Sequence, residues 1–354
     1  MTGKVVAKRG PERPTPIERF VSLIPLPYAW GCLIWAVFFA IAVQLIGGYL
    51  DTFDLSIALA VLLNPNLPLL QGIANLLLSI IAYGFLPSFL VRFMRSKVVL
   101  SEPELIAISP HGEETLHKVF GGVSRSAPPI LLGAALVVIA SIPGVSTPIP
   151  TTGLFGSLFL FAYYLFFAIG FGSFVWMYLT SLRGLDKLGG EALRLRPPSE
   201  DPMLGLRPLG AISLSFGFAY FTLLGLLFST YFFLPFDYVG SIVLPIFIII
   251  GLVMFFLPLK SFHRKMKDVK RLEQISIRKQ LTLITLEPDS PGPGDSQTAL
   301  QEIKKLLAIQ ILDHKASAIP TWPFDTGTLG RFTAIILSVV TVLIARLVII
   351  ALHL

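Results

Sequence analysis

Of all the side chains here that could do chemistry, Arg346 is in the most demanding place. It lies about 14 residues into an apolar run that starts at Phe332, or about 21 Å along a helix. A guanidinium at that depth costs about 2.5–3.5 kcal/mol on insertion scales. Two arrangements would offset the cost. The side chain reaches the outer headgroups near the end of the run, or it faces the bundle and meets the Gln44 amide, a carbonyl or an anionic ligand. No acid lies inside an apolar run to pair with it. The other polar groups in such runs are Gln44, Asn75, Ser79, Tyr83, Tyr163, Tyr164 and Ser173, all suited to interhelical hydrogen bonds. Arg346, Gln44 and Asn75 are the candidate functional residues within the membrane.

Catalytic chemistry finds little support. His111 and His117 flank Glu113 and Glu114, and Glu113 and His117 share a helix face, but the spacing is not that of a His-Glu-x-x-His zinc site. His263, His314 and His353 are isolated. The lone Cys32 excludes an intrachain disulfide and a cysteine-based zinc centre. There is no Gly-x-Ser-x-Gly elbow, phosphate-binding loop or dinucleotide fingerprint. No catalytic residue, cofactor or metal is expected.

These residues sit in a chain built for lipid. Hydrophobic residues make up 54% of 354 and charged residues 14%, with a mean hydropathy of +0.77. A soluble domain carries about 25% charged residues. Crossing the hydrocarbon takes about 20 apolar residues, and seven windows are read as spans: Tyr28–Leu50, Gly72–Phe93, Pro129–Ile142, Leu154–Leu182, Leu209–Leu234, Ser241–Leu259 and Phe332–Leu354. The third is short and has room to start earlier, in Ser124–Pro129. The fourth is long enough to tilt or project. Leu55–Leu70, broken by Asn64-Pro65-Asn66 and Pro68, reads as an interfacial helix or a re-entrant dip. Pro87 and Pro245 should kink their spans, and Ala168/Gly172, Ser213/Gly217 and Ser215/Ala219 offer small-residue packing faces. The expected fold is an all-α polytopic membrane protein of the cell membrane.

Charge then orients the spans. Every lysine and arginine except Arg346 falls before the first window, at the end of the second, or in alternate connecting segments, at 92–125, 183–207 and 260–331. The opposite segments hold Asp51, Asp54 and Asp237 and no lysine or arginine. By the positive-inside rule the N-terminus is cytoplasmic and the C-terminus outside. The pI of 9.5 reflects these loops and not a nucleic-acid partner.

The organisation expected is a cytoplasmic segment 1–27, a six-span bundle 28–259 with cytoplasmic loops 94–128 and 183–208, a cytoplasmic hairpin 260–325 and a seventh span 326–354. In the first loop, Glu104–Ser109 reads as extended and Glu113–Phe120 as an amphipathic helix stopped by Gly121-Gly122. The second loop reads as irregular. In the hairpin, a basic helix Lys260–Leu283 continues span six without a break, and a second helix runs from Thr298 to about Ala316. The second carries one apolar stripe, Leu300, Ile303, Leu307 and Ile311. Asp325 is a candidate cap for span seven. Lys260, Arg264, Lys265, Lys267, Lys270 and Arg271 form a candidate surface for anionic lipids of the inner leaflet. The hairpin is also where homo-oligomer or protein-partner contacts are expected.

A bundle poor in buried acids, with its charge gathered in one extension, favours a non-enzymatic sensor, scaffold or regulator. The alternative is a pore or a carrier of a lipophilic or anionic substrate. A membrane enzyme without a recognisable motif ranks third. Arg346→Leu should leave the protein folded with an unchanged or higher melting temperature in detergent, since a costly charge leaves the membrane. A loss of about 1–3 kcal/mol would instead place the guanidinium against a partner inside the bundle.

Overall fold

The computed structural model describes residues 13–63, 68–140, 154–197, 200–201, 203–230, 238–286, 296–318, 320–324 and 326–351, and every regular element among them is a helix. Asp325 and the side chain of Arg346 lie outside the described residues. Among the described residues, four helices are long and apolar enough to cross a membrane, or five if one bent pair counts as a span.

The chain enters through α1 (Pro16–Val21), started by a capping box in which Thr15 and Glu18 satisfy each other's backbone. The first long helix is α2 (Tyr28–Val37), a π-helical stretch Phe38–Val43 and α3 (Gln44–Thr52), ended by Phe53 in the left-handed region at φ 50°. Next, α4 (Leu55–Leu63) turns back and packs against α3. A Cβ on Gly48 would stand 3.2 Å from that of Ala58. Asp54 starts α4 by accepting bonds from the Ser56 hydroxyl and backbone, and these hold its carboxyl below the usual carboxylate range.

The second long helix is α5 (Leu69–Ser79), a π-helical stretch Ile80–Phe85 and α6 (Leu86–Leu100). Pro87 follows directly after the wide turn, where the proline ring would otherwise meet the carbonyl four residues back. Then come α7 (Glu102–Ile108) and α8 (Glu113–Phe120). The expected extension at Glu104–Ser109 is therefore corrected. Pro103 stands in the first turn, where it needs no amide partner, and Leu105 and Ile108 bury one helical face. Only Ser109 is extended.

Short α9 (Ala127–Ala140) lies antiparallel to α10 (Leu154–Gly190). A Cβ on Gly133 would come 2.9 Å from the Ala168 carbonyl oxygen, and one on Gly172 would come 2.6 Å from that of Pro129. With 37 residues, α10 is about 55 Å long and projects well past a core about 30 Å thick. Its last two turns bury Leu185 and Leu188, so the first part of the segment read as an irregular loop, 183–190, is helical. After it, the described residues of 191–206 form no regular element; they are held by the Arg194 N–H on the Ile108 carbonyl and by Asp201, which accepts from the amides of Met203 and Gly205.

The remaining helices form a second packing unit. α11 (Arg207–Thr230) and α12 (Tyr238–Phe256) are antiparallel, with the Tyr220 hydroxyl donating to the Phe247 carbonyl at 2.8 Å. α13 (Lys260–Leu286) leaves α12 at a bend of 42°. The expected unbroken continuation is corrected here. Pro258 cannot donate a backbone bond, so the helix ends in a turn at 257–259 and restarts. α13 and α14 (Ser296–Ala318) form an antiparallel pair, with Ile277 and Ile309 buried and Lys270 Nζ donating to the Ser317 carbonyl at 2.7 Å. Leu300, Ile303, Leu307 and Ile311 face outward instead of into this pair. Finally α15 (Thr326–Ala351) runs parallel to α11. Phe332 fills the space beside Gly217, and Val339 that beside Gly225. One continuous buried core joins α1 to α15, with Phe216, Phe221 and Phe262 almost wholly enclosed.

Candidate functional site

Three polar constellations are built on this frame. The first lies within the long helices. Gln44 follows the π-helical stretch of the first long helix, and its side chain is hydrogen-bonded to Tyr163 of α10. Tyr83, within the second π-helical stretch, is close enough to Tyr163 to interact electrostatically, and the Tyr163 and Tyr164 rings are 5.4 Å apart. π turns are rare and recur at functional positions, because each re-aims the side chains that follow by part of a turn. Here the two turns bring an amide and the phenols to one place. A Cβ on Gly84 would stand 2.6 Å from that of Ala36, so the two irregular helices touch without a spacer. Gln44 and Tyr163 thus join the first long helix to α10. Asn75 is apart, half-buried on α5, which packs against α4 and α11.

The second constellation joins α1 to α6. Glu18 is 4% exposed and accepts from Arg95 Nε at 2.9 Å, while also closing the capping box. Arg92 lies 4.5 Å from the centre of the Tyr28 ring, and the Tyr28 hydroxyl donates to the Ser88 carbonyl at 2.9 Å. Sequence reading missed this pair. A capping box preceding Ile17 and Val21 would have marked α1 as a docked helix, but not Arg95 as the partner.

The third is the root of the α13–α14 hairpin, where the six basic residues divide. Lys260, Arg264, Lys267 and Arg271 are exposed and fall at the three- and four-residue intervals of one helix face. Lys265 and Lys270 turn inward. Lys265 donates to the Glu191 carbonyl, and partial burial draws its ammonium below the usual lysine range. Lys270 ties α13 to the end of α14. His263 stacks on Trp322 at 4.2 Å and shares a 2.6 Å hydrogen bond with the Thr321 carbonyl. From Trp322 a chain of ring contacts runs through Phe256, Phe332 and Phe221 to Tyr220 and Tyr178, linking hairpin, α12, α15, α11 and α10.

His117 and Glu113 do meet on α8, at 3.1 Å. No group of three metal-ligating side chains occurs among the described residues.

Glu18 is the clearest single test of how the bundle closes. Removing one member of a buried ion pair leaves the other uncompensated, at a cost of about 3–5 kcal/mol when both are buried. Arg95 keeps 18% exposure, so Glu18→Ala should fall at or below the lower end of that range. Thermal unfolding in detergent measures it, and an unchanged midpoint would show that α1 is not fastened through this pair.

No protein-family model, curated protein or solved structure matches this chain.

Proposed function

We propose that this is a seven-span membrane protein, N-terminus in the cytoplasm and C-terminus outside, that acts as a non-enzymatic regulator or scaffold through its α13–α14 hairpin. Two independent patterns support the spans. Basic residues sort into alternate segments, and helix directions agree with that alternation, since α9 opposes α10, α12 opposes α11 and α15 runs with α11. Ala127–Val138 and Leu329–Thr341 supply the two shorter apolar helices that complete the set.

The observation that carries the functional reading is the exposed stripe of Lys260, Arg264, Lys267 and Arg271. It stands where α13 leaves α12, within about 18 Å of helix length. Each such charge beside an anionic leaflet contributes about 1 kcal/mol, falling off over a Debye length of about 8 Å. Surface charge would thereby bias the angle of the hairpin, and the aromatic chain gives that bias a packed route into α11 and α15. The exposed apolar residues of α14 supply the face a protein partner would use. Phe174, Tyr178, Phe216 and Phe221 fill the space between α10 and α11, which favours this reading over a central pore.

Two experiments bear on it. In a Cys32→Ala background, a cysteine at Thr52 should react with an impermeant thiol reagent from outside, and one at Ser276 only after the membrane is opened. Outside reaction at Ser276 would reverse the topology. In nanodiscs, amide exchange across 260–271 should slow several-fold when neutral lipid is replaced by anionic lipid. The effect should disappear when all four stripe residues become glutamine. Exchange that ignores lipid charge would remove the hairpin as a surface reader.

A further inference from the structure

The N-terminal ends of α11 and α15 lie side by side and enclose a cleft of about 360 Å³, lined by Arg207, Ala211, Ser215, Pro323 and Arg331 among others. We propose that this cleft holds the phosphate headgroup of one acidic phospholipid, gripped by Arg207 and Arg331, with an acyl chain running down the groove between the two helices. The inference rests on the membrane reading of the bundle and not on the role given to the hairpin.

Both guanidiniums are exposed, and neither has an acidic partner among the described residues. No acid among the described residues lines the cleft. Two arginines on one concavity repel each other unless an anion joins them, and a phosphate oxygen set suits two planar donors. The parallel packing of α11 and α15 sets both positive helix ends on the same side, and Gly327 brings an amide of the first turn of α15 to the wall. Close approach is what makes the cleft. A Cβ on Gly210 would overlap the Pro323 carbonyl, so α11 touches the segment that leads into α15 directly.

What lies below the arginines selects a lipid over a free phosphate ester. Along α11 the cleft wall continues from Arg207 through Ala211 and Leu214, and Phe218 follows one turn on. Ala211 is exposed and small, which leaves a furrow beside Leu214. Phe218, at 42% exposure, extends the apolar face beyond it. An anion with a hydrocarbon tail satisfies both halves, whereas phosphate alone leaves the furrow to bulk lipid.

Full-length protein in neutral detergent is titrated with phosphatidylglycerol, phosphatidylcholine and inorganic phosphate, and retained lipid is counted by native mass spectrometry. One phosphatidylglycerol should be retained in preference to phosphatidylcholine. Retention should weaken about tenfold in Arg207→Gln or Arg331→Gln, as expected for one charged hydrogen bond, and vanish in the double variant. Ala211→Leu fills the furrow, leaves both charges in place and should also weaken retention, which keeps the test decisive if the double variant fails to fold. Lys260→Gln with Arg264→Gln should change nothing here, even if it abolishes the hairpin's response to surface charge. Displacement of the lipid by millimolar phosphate would overturn the lipid assignment. Retention indifferent to Arg207, Arg331 and Ala211 would overturn the site.

Discussion

In hydrocarbon there is no water to bond a stray amide or carbonyl, and each one left unpaired costs several kcal/mol. For the membrane protein proposed above, that single penalty accounts for described elements that are all helices and for where their irregularities fall. The π turns at Phe38–Val43 and Ile80–Phe85 change the pitch of the long helices without breaking the ladder. The full break at 257–259 comes at the point where apolar residues give way to Lys260 and its neighbours. Pro87 is tolerated after a wide turn, and Pro258 in a turn that needs no amide from it.

With the backbone satisfied internally, lipid supplies no hydrophobic force to press one helix on another, and close fit must do that work. Glycine provides it at several crossings. Gly133 and Gly172 let α9 sit directly on α10, and Gly217 accepts the Phe332 ring from α15. The aromatic side chains then fill what the glycines leave. Phe255 stacks on Phe332 at 3.8 Å, and the rings around it carry the packing on to Trp322 and the hairpin root. Polar contacts are few and specific, with Glu18–Arg95 at one end of the bundle and Gln44–Tyr163 within it.

Much of this was legible from residue order. Apolar run length located the long helices, and Gly121-Gly122 ended α8 at Phe120, as the sequence predicts. Less legible was anything that depends on rotation about a helix axis. The six basic residues near Lys260 read as one surface, yet a rotation of 100° per residue turns Lys265 and Lys270 inward. The stripe of Leu300, Ile303, Leu307 and Ile311 was visible as a stripe, but which way it faces depends on the register with α13. Long-range pairs such as Glu18 with Arg95, or Arg207 beside Arg331, have no signal in one sequence, because only folding brings such distant positions together. Pro258 was a signal overlooked beside the charge run that follows it.

The parallel pairing of α11 with α15 also sets an order of events during synthesis. α11 leaves the ribosome with a Gly217 face that Phe255 and Phe332 will fill together, and roughly a hundred residues must follow before α15 is complete. At about 5–20 residues per second that is on the order of ten seconds. Throughout that interval the glycine face of α11 meets lipid or an insertion factor, and the two arginines that will share a cleft are still apart. α15 therefore completes the core of the second packing unit, and a chain stalled before Phe332 would leave α11 and α12 without that ring between them.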